Sequence, residues 1–178
     1  MKGIIFNVFE QVVARDRGEA AWDRLLEGSG LEGAYTSLGS YPDADLSRLV
    51  ESGSTAWGVP ADELVRWLGR EALPLFADRY PQLFQSHGTT TAFLLTLNDI
   101  IHPEVRKLYP GAHVPVFEYK ASDDRLTMGY RSDRKLCMFG EGLIEGAAAH
   151  YEETVAIDQP TCMNRGDDRC VLEISFSR

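Results

Sequence analysis

Residues 91–111 read TAFLLTLNDIIHPEVRKLYPG, and the periodicity of the chain changes across them. Phe93, Leu94, Leu95, Leu97, Ile100, Ile101, Val105 and Leu108 recur at helical spacing and make 91–108 the most apolar predicted helix. Tyr109-Pro110-Gly111 then acts as a strong breaker. Upstream, the apolar period stays helical. Ile4, Ile5, Val8, Phe9, Val12 and Val13 predict an amphipathic helix over 2–15, and Trp22, Leu25 and Leu26 a second, stopped near Gly28-Ser29-Gly30. Pro42-Asp43 and Pro60-Ala61-Asp62 open two more, and Pro74 is expected to kink or end the second of these. Downstream, 114–119 and 125–132 alternate as paired strands about an Ala121-Ser122-Asp123-Asp124 turn. A further helix fits 134–150, and 152–158 and 169–176 alternate around Asn164-Arg165-Gly166-Asp167. The expected class is α+β: a helical N-terminal part packed on a C-terminal part with a small antiparallel sheet and helices.

A chain of 178 residues suits one domain, or at most two small halves sharing a core. With 44% hydrophobic and 25% charged residues, disorder is not expected. Lys and Arg number 18 against 27 Asp and Glu, and the net charge of −9 disfavours nucleic acid and anionic membrane surfaces as partners. The apolar runs are far too short for a bilayer, and no small-residue cleavage site follows the N-terminal apolar stretch, so neither a membrane span nor a signal peptide is expected. Cys137, Cys162 and Cys170 are an odd number in a chain able to build its own core, which points to a reducing cytoplasm.

Two constellations carry chemistry. His102 lies inside the most apolar helical stretch, where a neutral imidazole suits an axial ligand for haem iron or another soft metal; a core histidine bonded to a backbone carbonyl is the plainer alternative. Pro103 removes a helical N–H beside it, so an irregular backbone is expected there. Tyr130, Ser132 and Arg134 would share one face of a strand, offering two hydroxyls and a guanidinium to a carboxylate or phosphate; a solvated edge strand is the alternative. Together they supply both ends of a haem, iron ligand and propionate partners.

These residues bear a family resemblance. The chain resembles the H-NOX (haem-nitric oxide/oxygen binding) family, related to the haem domain of soluble guanylate cyclase. The resemblance spans essentially all 178 residues. It rests on Met1-Lys2-Gly3-Ile4-Ile5, on Ile101-His102-Pro103-Glu104-Val105 through Lys107-Leu108-Tyr109-Pro110-Gly111-Ala112, on Tyr130-x-Ser132-x-Arg134, and on Gly142-Leu143-Ile144-Glu145-Gly146. It implies a single domain over 1–178, with a helical subdomain at 1–60, a haem-ligating subdomain at 61–178, and haem b buried between. It also implies His102 as iron ligand, Tyr130, Ser132 and Arg134 as propionate partners, and Ile5 and Pro115 pressing on the porphyrin. The family's distal tyrosine, which donates to bound O₂, falls by register on Phe139 here. With Ile5, Val8, Phe9, Phe76 and Leu143 as further candidates, the distal wall is expected to be apolar. An unpaired buried acceptor costs roughly 1–3 kcal/mol, so NO and CO should bind and O₂ poorly.

The expected role is therefore a gas-sensing switch, not an enzyme. NO weakens the His102–iron bond, the two parts shift, and a separate effector, a histidine kinase or a cyclic-di-GMP cyclase or phosphodiesterase, reads the change. A haem enzyme would need a distal acid/base pair, which the apolar candidates argue against. The remaining alternative is a cysteine-based zinc or redox module, with His102 merely structural. Cys137, Cys162 and Cys170 could hold zinc with a fourth ligand. Where some members of the family have a histidine ligand, three residues before the middle cysteine, this chain has Gln159; His150 and Asp158 are weighed as substitutes.

Overall fold

Helix α1 (Gly3–Arg17) buries Ile4, Phe6, Val8, Phe9, Val12 and Val13 along one stripe. In the computed structural model, which describes residues 1–122 and 125–177, this stripe seeds the first of two cores. Helices α2 (Glu19–Ser29) and α3 (Asp43–Trp57) close it with Trp22, Leu25, Leu46, Leu49 and Val50. Both helices stop where Gly30 and Gly58 take left-handed backbone, a conformation that only glycine adopts without cost.

Helix α4 (Ala61–Arg79) belongs to both cores. Leu64, Leu68 and Ala72 face the first, while Leu73 and Ala77 face the second. The expected break at Pro74 does not occur: the helix runs through it to Arg79. The reason is the neighbouring helix, α7 (Cys137–His150). A side chain at Gly142 would strike the Arg66 carbonyl, and one at Gly146 the Arg70 carbonyl, which is the group Pro74 leaves without a donor.

The predicted helix over 91–108 is three pieces. Thr89 caps α5 (Thr90–Leu94), accepting from the Ala92 N–H. A wide π-turn follows over Leu97–Ile101, and then α6 (His102–Leu108). Irregular backbone was expected near Pro103, and it is the π-turn that supplies it. Pro103 itself sits in the first turn of α6, where a missing N–H costs least.

The second core packs α5 and α7 against an antiparallel sheet. Its strands are β1 (Phe117–Ala121), β2 (Arg125–Tyr130), β3 (Thr154–Thr161) and β4 (Cys170–Ser177), in the order β1-β2-β4-β3. Met128, Leu172 and Ile174 are buried on the face that meets the helices. Pro160 is tolerated because β3 is an edge strand and its register shifts between Asp158 and Thr161. Of the predicted β1–β2 turn, Ser122 pairs with Arg125, while Asp123 and Asp124 lie outside the described residues. Among the described residues no helix is long and apolar enough to cross a membrane.

Candidate functional site

The π-turn decides where His102 points. Its N–H bonds to the Leu97 carbonyl, five residues back, and the Ile101 N–H bonds likewise to Thr96. The extra residue in the turn rotates α6 relative to α5, as such insertions do, and they recur at functional sites. His102 thereby lines a cavity of ≈ 320 Å³ with Leu97, Ile101 and Val105, while Ile100 is turned out to solvent. The imidazole packs against the Phe117 ring, 5.6 Å between centroids. Burial lowers its pKa to about 4; the Pro115 backbone offsets part of this and the Arg106 charge adds to it. The ring is therefore neutral at physiological pH. Its Nδ1 is buried and without a hydrogen bond, an exception to the rule that buried polar atoms are satisfied.

Tyr130, Ser132 and Arg134 line the same cavity. They do not share a strand face, however, because β2 ends at Tyr130 and the other two stand in the turn that follows. Hydrogen bonds within the turn gather them instead. Tyr130 Oη accepts from the Leu136 N–H (3.2 Å) and Ser132 Oγ from the Arg134 N–H (3.3 Å). The Arg134 guanidinium donates through Nε to Asp43 (2.7 Å) and through Nη1 to the His113 carbonyl (2.8 Å). Asp43 also accepts from the Met1 ammonium (2.6 Å). Burial alone would raise the Asp43 carboxyl, but Arg134 and Met1 outweigh it and hold it below the usual carboxylate range.

Ile5, Phe76, Pro115, Phe139 and Leu143 all line the cavity. Val8 and Phe9, expected on the same wall, do not: both are buried in the first core, with Phe9 edge-on to Trp22. The two hydroxyls that sequence reasoning missed are Tyr80 and Tyr109, which line the cavity and hydrogen-bond to each other. Burial first, then Tyr80, pushes Tyr109 up to about 12. The four-residue step from Phe76 to Tyr80 places both on one helical face and would have marked Tyr80.

The three cysteines form a separate cluster. Cys137 opens α7, Cys162 follows β3, and Cys170 opens β4; their sulfurs lie within 4.8 Å of one another. Cys137 and Cys162 are 3.6 Å apart. Burial pushes Cys137 up to about 12 and also raises Cys170, so these are thiols rather than thiolates. No histidine or carboxylate joins them among the described residues. His150 packs on Phe84 and Tyr151, and Asp158 is exposed. The Gln159 Nε2 is buried without a partner.

A neutral imidazole with one buried nitrogen unpaired at one point of an apolar cavity, and hydroxyls and a guanidinium at another, fits the donor set of a haem site. Comparisons agree. The haem-NO-binding family model matches residues 2–159. An H-NOX protein from Shewanella oneidensis in the Fe(II)NO ligation state is 32% identical, with 100% of both chains covered and a TM-score of 0.93. The Fe(II)CO state of the S. oneidensis H-NOX domain gives 32% identity, 100% and 99% coverage and a TM-score of 0.90. The unliganded Fe(II) H-NOX protein from K. algicida gives 30% identity, 100% and 97% coverage and a TM-score of 0.90. No curated protein sequence matches significantly. From the extent of the family match and the likeness over the whole chain, this protein belongs to the haem-NO-binding (H-NOX) family.

Proposed function

We propose that this chain is a haem-based gas sensor in which His102 ligates the iron. It binds NO and CO, excludes O₂, and passes the signal to a separate protein. The observation that carries the reading is the junction, in one cavity, of the neutral His102 ring with Tyr130, Ser132 and Arg134. Bound haem would supply a ferrous iron able to take up a diatomic gas and, with NO, to hold His102 less tightly.

The rest of the work falls to the chain. His102 offers a lone pair without first losing a proton, because burial keeps the ring neutral. Tyr130, Ser132 and Arg134 receive the propionates, with Arg134 able to bind a carboxylate in a fork. Ile5, from α1, and Pro115, from the segment before β1, line the cavity and would pack against the porphyrin. Phe76, Phe139 and Leu143 present no donor to a bound gas, and the Tyr80–Tyr109 pair spends one of its two O–H groups on its own hydrogen bond. A polar O₂ adduct gains nothing from the phenyl and aliphatic part of that wall, whereas NO and CO need little help. A weaker hold on His102 would free α6 to shift, and with it the contact between the helical part at 1–60 and the remainder at 61–178. A histidine kinase or a cyclic-di-GMP cyclase or phosphodiesterase in the cytoplasm reads that change. The role is binding, not turnover.

The cysteine cluster supports a second component. We infer that it holds a structural zinc ion, with three thiolates formed as the metal displaces their protons. Three thiolates leave one position to fill, and Gln159 is a poor zinc ligand.

An anaerobic absorption spectrum tests the main reading, taken ferrous and then with NO, CO and O₂. A five-coordinate ferrous haem that binds NO and CO and forms no stable O₂ complex is expected. His102→Gly should lose haem or depend on added imidazole. A chain that stays colourless with added haem overturns the reading and leaves the cysteines as the functional centre.

A further inference from the structure

Asn98 stands in the π-turn, four residues before His102, and its carboxamide spans to the start of β1. Its Oδ1 accepts from the Phe117 N–H (3.0 Å) and its Nδ2 donates to the Phe117 carbonyl (2.8 Å). One side chain thus satisfies both main-chain groups of one residue, as a neighbouring strand would. β1 is an edge strand, so Asn98 takes the place of that missing neighbour at Phe117.

What the clamp joins gives it meaning. On one side is the widened turn that sets the rotation of α6, with the His102 N–H bonded to Leu97 inside it. On the other is the segment holding Pro115, whose carbonyl faces the imidazole, and Phe117, whose ring lies against it. Phe117 also packs on Tyr130, 6.0 Å between centroids. A π-turn is a rare insertion in an α-helix, and this one gains support from outside the helix. Asn98 supplies it with two hydrogen bonds that are part-buried and 19 residues apart in sequence.

We infer that Asn98 is the positioning residue for His102: it locks the π-turn to Phe117, so that imidazole, Pro115 and Phe117 move as one body and the strength of the bond to iron is set by this lock. The inference rests on the reading of His102 as iron ligand. It differs from a general stabilising role because it ties one side chain to one spectroscopic property.

Asn98→Leu removes both bonds at similar volume. Tyr119→Phe is the control, since Tyr119 Oη also ties β1 to the helices, through the Leu94 carbonyl (2.8 Å), but ahead of the π-turn. Two readouts are taken. In the haem-free protein, amide hydrogen exchange at Phe117 and across residues 100–104 should accelerate on the order of tenfold in Asn98→Leu and stay unchanged at 100–104 in Tyr119→Phe. In the ferrous haem-loaded protein, the iron–histidine stretching frequency should shift in Asn98→Leu and hold in Tyr119→Phe. Asn98→Gln keeps the donor and the acceptor but sets them one methylene farther out, and should give smaller effects in the same direction. Faster exchange at Phe117 alone with an unmoved frequency overturns the inference, as does an equal shift in Tyr119→Phe. If the unmodified chain shows no iron–histidine band, or His102→Gly keeps it, the ligand reading has failed, and that result is distinct from a band that Asn98→Leu leaves in place.

Discussion

Phe139 places a half-buried phenyl ring on the cavity wall, on α7, one position before Gly140. Nothing on that ring can donate to a bound gas. Phe139→Tyr adds one hydroxyl at the ring edge, and a single hydrogen bond is worth about 0.5–1.5 kcal/mol. O₂ affinity of the ferrous protein should rise about tenfold, with CO affinity changed much less, as read by spectroscopic titration. Equal changes for both gases would mean that the hydroxyl alters access rather than polarity. At this scale much of the site was legible. His102 stands out because an ionisable ring in an apolar helix needs a reason, and Tyr130, Ser132 and Arg134 because their donors suit carboxylates. Their grouping was reached by a wrong route, through strand alternation, when a turn does the work. Val8 and Phe9 were misplaced because a helix apolar enough to face a cavity looks the same as one facing a core. Tyr80 carried a signal in its four-residue step from Phe76, whereas its pairing with Tyr109 across 29 residues leaves no local trace.

Helices α4 and α7 approach until side chains no longer fit between them. A methyl group at Gly142 would lie 1.9 Å from the Arg66 carbonyl oxygen, and one at Gly146 2.6 Å from that of Arg70. Gly140, on the same helix, has open space. Gly142→Ala should therefore destabilise the haem-free protein by about 2–3 kcal/mol, because backbone must move to admit it. Gly140→Ala should stabilise by roughly 0.5–1 kcal/mol, from helix propensity alone. Urea unfolding of both variants measures the difference, and a stable Gly142→Ala would show that the helices can separate freely. This crossing also explains what local reading of the elements could and could not find. Four N-terminal helices follow from apolar spacing and breakers, since their signals are local. The passage of α4 through Pro74 does not, because the compensating glycines are some seventy residues away in sequence. The π-turn at Leu97–Ile101 was equally hidden: an apolar stretch keeps its helical look when one residue is inserted.

Across the whole molecule, Arg134 reaches from the C-terminal turn to Asp43 at the first turn of α3, and Asp43 holds the Met1 ammonium as well. The N-terminal helices and the turn after β2 are thereby joined by one carboxylate between two cations. Such a link resists any shift of one part against the other, and its strength depends on pH. Asp43 titrates in the folded chain below its ordinary value of about 3.9. A depressed carboxyl contributes stability in full above the unfolded value and loses it as pH falls through the folded one. Asp43 is about half exposed, with a side-chain exposure of 47%, so solvent screens the pair and the contribution is no more than about 1 kcal/mol. Asp43→Asn should accordingly be less stable than the unmodified chain near neutral pH, and the gap should close below about pH 4 as the native carboxyl takes up a proton. Added salt should narrow it too. Urea midpoints followed from pH 7 down to the lowest pH at which both proteins fold, at two salt concentrations, check this. A gap independent of pH and salt would assign Asp43 a packing or helix-start role and leave the two parts without an electrostatic tie. A gap that closes on acidification would assign Asp43 an electrostatic tie between α3 and the turn that carries Arg134.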